Sequence, residues 1–271
     1  MKQFIRSVVR PVALVMIAPI AGFLLILVLE TFLNIELSKL LSSVINLIVV
    51  SFIAFIAFPQ RLGIPFGKIE TRDFLQRVGF YLPANTWKHI VLGLILAGCT
   101  LSGMLIASIL TGKYKMDMST INLPQLVFSL NAALWEELFY RGVLMVLLLK
   151  ITRSLKKAFV IQVVLFGYMH IKGFDIFALV DMLSVMILAV GFTYVAYKTR
   201  VLVAGIVFHY FHDALLYFVQ LPDGIYTGVT DNAMFYGILW LMIGVGCVIT
   251  KLAADKFGVR APTELYNLKI I

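Results

Sequence analysis

Apolar residues fall in long blocks along this chain, separated by short polar connections, and the blocks approach the length of membrane crossings. A spanning helix needs roughly 20 mainly apolar residues to traverse about 30 Å of hydrocarbon. Eight such blocks stand out: Pro11 to Leu33, Ser38 to Phe58, Ile90 to Leu110, Pro124 to Leu149, Lys157 to Ile171, Asp175 to Tyr197, Val201 to Gln220 and Met234 to Leu252. Pro59 supplies a stop after the second, and Pro124 suits the first turn of the fourth. No repeat or low-complexity tract interrupts them, and no connection is long enough for a soluble domain. The pattern predicts an all-α, polytopic membrane protein: one transmembrane domain over residues 1–271, a bundle of about eight helices.

Composition supports this reading. Of the 271 residues 61% are hydrophobic and only 14% charged, with a mean hydropathy of +0.98. A water-facing surface built from so few charges would expose large apolar patches, which excludes a soluble globular enzyme. Cys99 and Cys247 both lie inside apolar blocks, where thiols act as small hydrophobes and no disulfide framework can be argued.

The net charge of +9 first suggests nucleic acid. The basic residues, however, are spread between the apolar blocks and not gathered in one patch, so nucleic acid is not the expected partner. They fill every second connection: Lys2, Arg6 and Arg10; Arg61, Lys68, Arg72, Arg77 and Lys88; Lys150, Arg153, Lys156 and Lys157; Lys198 and Arg200; Lys251, Lys256, Arg260 and Lys269. The alternate connections hold only Lys39, Lys113, Lys115 and Lys172. By the positive-inside rule both termini of this multi-pass protein lie in the cytoplasm. In the longest connection, residues 68–80 interleave Ile69, Phe74, Leu75, Val78 and Phe80 with charges, as either a short interfacial helix or a solvated loop would.

Against this background the polar residues inside the blocks draw notice, since a charge at the bilayer centre costs roughly 3 kcal/mol. The fourth block contains Trp135-Glu136-Glu137-Leu138-Phe139-Tyr140-Arg141. Glu137 and Arg141 are four apart and share a helix face, which suits a lipid-excluded structural ion pair or the support of a site. Glu136 adds a second carboxylate that one arginine cannot fully neutralise. The fifth block ends near His170, and the seventh holds His209, His212 and Asp213, two imidazoles and a carboxylate within five residues. Three helices thus offer groups that a bundle can gather around one cavity. Other polar residues read as structural: Glu30 near a span end, Asp175 as an N-cap, Asp181 without a nameable partner, and His89 with no role.

In these residues the sequence resembles the family of CAAX prenyl proteases and bacteriocin-processing or immunity endopeptidases of the Ras-converting-enzyme type. Two adjacent glutamates precede an arginine, then a phenylalanine and a histidine stand four apart, then a histidine stands four before Asn or Asp. Here these are Glu136, Glu137 and Arg141, then Phe166 and His170, then His209 and Asp213. The resemblance implies that Glu136 and His170 hold and activate a water, and that His209 and position 213 stabilise the oxyanion. It implies supporting places for Glu137 and Arg141, with His212 an alternative to Asp213. An ionised Asp213 cannot donate a hydrogen bond, so it would act protonated or by orienting a neighbouring histidine. No cofactor or metal is implied. The implied substrate is a farnesylated or geranylgeranylated CAAX peptide or protein, met among membrane lipids and trimmed of its last three residues.

Other readings start from the same side chains. Zinc held by His170, His209 and Glu136 would make a metalloprotease, although the His-Glu-x-x-His segment of a zincin helix is missing. Processing of unlipidated peptides, or immunity, would use the same motifs. A proton or cation transporter would use intramembrane acids and histidines too, although clear inverted repeats are lacking.

Overall fold

A computed structural model describes residues 75–112, 115–116, 123–171, 173, 176–216, 219–220 and 229–259, with helical residues 21–22, 24–31, 41–42, 44–45 and 48–49. The first two apolar blocks, Asp175 and residues 68–74 therefore fall wholly or largely outside the described residues.

The third block becomes α1, Thr86–Thr111. It starts after a turn at Ala84 and Asn85, with Thr86 Oγ1 donating to the Pro83 carbonyl at 2.6 Å. It stops at Gly112, whose φ of 64° is the left-handed geometry a side chain resists and whose N–H returns to the Ser108 carbonyl. The fourth block is one continuous helical run in three parts: α2, Leu123–Glu136, a π-helical segment, Glu137–Leu144, and α3, Met145–Thr152. Arg153, at φ 51°, breaks the run. Ser154 then caps α4, Leu155–Tyr168, by accepting from the Lys157 N–H. α5, Ile176–Thr199, ends at Arg200, again left-handed at φ 57°. α6, Val203–Leu216, and α7, Val229–Lys256, complete the order.

The fifth and seventh blocks end earlier than the sequence predicts. His170 lies in the turn after α4, held by its N–H on the Gly167 carbonyl at 3.0 Å. α6 is only 14 residues, about 21 Å at 1.5 Å per residue. Beyond it Val219–Gln220 (β2) is extended and pairs antiparallel with Lys115–Met116 (β1), Lys115 opposite Gln220 and Met116 opposite Val219. This single short ladder leaves the protein all-α.

Successive helices alternate in direction. α6 and α7 pack most extensively on α1, α4 packs on α5, and α2 packs on α6. Small residues permit the closest crossings: a Cβ on Gly93 would stand 2.5 Å from the Ala204 carbonyl oxygen, so α1 and α6 meet backbone to backbone there. The core runs along the middle of the bundle, where Leu138 to Leu149 are buried without interruption. The outside is apolar as well, with Ile109, Val160, Leu241, Val248 and Leu252 all exposed. A molecule apolar on both its inner and outer faces is one whose solvent is lipid. Among the described residues three helices are long and apolar enough to cross a membrane: Thr86–Thr111, Ala178–Thr199 and Ala233–Lys256. The alternation puts Lys88, Lys150, Arg153, Lys198, Arg200 and Lys256 at one end of the bundle and His170 towards the other.

Candidate active site

The π segment makes the site possible. It begins at Glu137, directly after Glu136, and its wider turns change the angle at which successive side chains leave the helix. Both glutamates are consequently buried, Glu136 8% exposed and Glu137 0%, although they occupy adjacent positions in a hydrophobic run.

Glu137 lies deepest. Its Oε1 forms an ion pair with Arg141 Nη1 at 3.0 Å and accepts from His209 Nδ1 at 2.9 Å, and all three residues are buried. An ionised carboxylate only accepts, so His209 donates from Nδ1 and its tautomer is set by Glu137. The Arg141 guanidinium lies over the Phe166 ring at 4.1 Å and the Phe192 ring at 4.9 Å, an aromatic box for a cation that lipid could not solvate. Phe192 also stacks on His209, with ring centroids 4.4 Å apart and planes 19° from parallel. The imidazole is thereby fixed by a hydrogen bond at one edge and an aromatic ring across its face.

His170 is oriented from the opposite side. Its Nδ1 lies 2.7 Å from the carbonyl oxygen of Phe166, one turn earlier, which requires the proton on Nδ1 and leaves Nε2 facing inward. The two Nε2 nitrogens approach one atom: Glu136 Oε2 is 3.9 Å from His170 Nε2 and 3.7 Å from His209 Nε2. These separations exceed a hydrogen bond, and among the described residues Glu136 Oε2 has no hydrogen-bond partner. Asp213 Oδ2 stands 3.5 Å from His209 Nε2, one turn further along α6. The cluster opens on the side of His170 and Asp213, whose side chains are 35% and 27% exposed against 11% for Glu136. No group of three or more His, Cys, Asp or Glu among the described residues is arranged to hold a metal ion.

The structure thus brings together Glu136, His170, His209 and Asp213, with Glu137 and Arg141 behind them. His212 is buried but turns towards Phe192 and Phe208, and among the described residues its Nδ1 makes no hydrogen bond. Asp181 gains the partner that sequence left unnamed, the Tyr236 hydroxyl, which donates to its Oδ1. Two neighbours escaped notice in the sequence. Phe192 sits in a uniformly apolar helix and gives no signal there. Gly205 does give one, lying four residues before His209: a Cβ at this position would stand 2.7 Å from Glu137 Oε2, so glycine lets the carboxylate lie against α6.

Residues 119–215 match the family model described as Rce1-like, type II CAAX prenyl endopeptidase. Over this segment the chain is similar to the Rce1-like family. The matched residues include all of the cluster from Glu136 to Asp213, together with Phe192 and Gly205. No curated protein and no solved structure matches the chain. The Rce1-like segment coincides with the part of the bundle in which buried charges replace lipid-compatible side chains.

Proposed function

We propose that this protein is an intramembrane endopeptidase that hydrolyses a peptide bond with a water activated by Glu136 and His170, and that its substrate is a prenylated CAAX-type protein losing its last three residues. The observation that carries the reading is the convergence of two histidine Nε2 atoms on one buried glutamate oxygen. Gaps of 3.7 and 3.9 Å are too long for direct bonds and suit a shared water.

In this reading Glu136 takes a proton as the water oxygen bonds to the scissile carbonyl carbon. The carbonyl oxygen becomes an oxyanion beside His209 and Asp213. His209, when protonated, donates from Nε2 while Nδ1 stays on Glu137, and Asp213 donates in its acid form. The C–N bond then breaks, and the amine leaves with the proton from Glu136. Glu137 and Arg141 do no chemistry; they hold His209 in place. The chain is a single membrane domain of eight spans with both termini in the cytoplasm, and the prenyl group lies among the apolar helices.

The test is cleavage of fluorogenic farnesylated and geranylgeranylated CAAX peptides and their unprenylated twin, each with and without a chelator. Wild type is compared with Glu136→Ala and His170→Ala. Prenyl-dependent cleavage that survives chelation and is lost in both variants is the expected result. Equal cleavage by wild type and Glu136→Ala overturns the chemistry, preference for the unprenylated peptide overturns the substrate, and loss with the chelator, restored by metal, favours a zinc mechanism.

A further inference from the structure

At the basic end of the bundle, lined by residues other than those of the glutamate cluster, a second cavity lies among the start of α1, the α5–α6 turn and the end of α7. It measures about 160 Å3, roughly ten times the space one water needs. Its polar lining is Asn85, Lys88, His89, Tyr81 and Thr199, and its apolar lining includes Pro83, Val201 and Phe257. Nothing in the proposed protease chemistry uses it.

Three features of this lining agree. Asn85 lines the cavity at the N-cap of α1, the positive end of a 26-residue helix, and its side chain makes no capping bond. His89 is only 5% exposed, yet among the described residues its Nδ1 has no hydrogen-bond partner. A buried polar atom of this kind calls for a partner that the protein itself does not supply. Lys88 donates from Nζ to the Phe257 carbonyl at 2.7 Å, which pins the ammonium at the cavity wall, and among the described residues no carboxylate pairs with it. The nearby acid at the end of α7, Asp255, is taken by Lys198 at 2.6 Å and Lys251 at 3.3 Å.

A positive helix end, an ammonium with no carboxylate beside it among the described residues, and an imidazole whose Nδ1 has no hydrogen bond among them, around one cavity, select an anion with several acceptor oxygens. The geometry points to a binding site for a phosphate group, bounded by Asn85, Lys88 and His89 at the membrane surface. The apolar half of the lining, with Trp87 exposed beside Phe257 at 5.8 Å between ring centroids, suits a phosphate carried on a lipid. A free phosphate offers the same oxygens.

The experiment uses the full chain in neutral detergent micelles and follows tryptophan fluorescence and thermal unfolding. Phosphatidylglycerol and inorganic phosphate are titrated separately, with chloride at equal ionic strength as the control. The variants are Asn85→Ala, Lys88→Gln and His89→Phe. Saturable stabilisation of wild type beyond chloride is expected, with half-saturation weakened tenfold or more in Lys88→Gln. A response to the lipid alone assigns the site to a headgroup, and a response to both assigns it to phosphate itself. Asn85 and Lys88 are not in the core, so those variants keep the test standing where His89→Phe fails to fold. Absence of stabilisation by either ligand, or half-saturation unchanged in Lys88→Gln and Asn85→Ala, overturns the proposal.

Discussion

Glu137 binds His209 across 2.9 Å from another helix while binding Arg141 at 3.0 Å on its own, so one buried carboxylate fixes both the cation beneath the site and the imidazole in it. Of the two adjacent glutamates, Glu137 makes the close contacts, and the proposed chemistry gives it a supporting place. Glu136 has an unbonded oxygen and two imidazoles aimed at it.

Glu136→Gln keeps the shape of the side chain and removes the base. Cleavage of a farnesylated CAAX peptide is expected to fall by about 10²- to 10⁴-fold, while the unfolding temperature stays near that of wild type. A variant that cleaves at the parental rate removes Glu136 from the mechanism.

Glu137→Met leaves Arg141 and its charge buried without a counter-ion. Breaking a buried pair from one side costs about 3–5 kcal/mol. The double variant Glu137→Met with Arg141→Met removes both charges and is expected to be more stable than Glu137→Met alone, though inactive because His209 loses its tether. Denaturation in detergent decides; a double variant no more stable than the single contradicts the pairing.

Gly205→Ala places a methyl group 2.7 Å from Glu137 Oε2. Overpacking of this sort costs about 1–3 kcal/mol, and the carboxylate must give way together with His209. The expected result is a fall in kcat larger than any rise in KM. Ala at this position with unchanged kinetics would show that the contact between Glu137 and α6 is dispensable.

Asp213→Asn supplies N–H donors whatever the pH, whereas Asp213→Ala supplies none. Cleavage is expected to persist in the first and to fall by about 10²-fold or more in the second, the usual cost of losing an oxyanion donor. The pH profile of Asp213→Asn should be flatter than that of wild type. Full activity in Asp213→Ala would leave His209 as the oxyanion donor without Asp213.

The membrane class, the helices from Thr86 onward and the identity of the cluster were legible because each depends on residue type along the chain. Lipid demands long apolar runs, and charges inside such runs announce themselves: Glu136, His170, His209 and Asp213 stand out from their neighbours alone. The early ends of α4 and α6 were less legible, since Met169 and Ile171 after the first and Tyr217, Phe218 and Val219 after the second continue the apolar character.

The sequence by itself determined that this chain is solvated by lipid and that three separate helices carry the unusual polar groups, because hydropathy and motif spacing are properties of neighbours in the chain. Only the tertiary structure decided which atoms meet. The switch to π geometry at Glu137 turns one glutamate onto Arg141 and His209 and leaves the other facing two Nε2 atoms, a difference one residue of spacing cannot reveal. Phe192 and Gly205 earn their places only through what crosses them, a guanidinium and an imidazole for the first and a carboxylate for the second. Contacts between helices depend on crossing angle and depth, and a uniformly apolar stretch encodes neither in its own pattern.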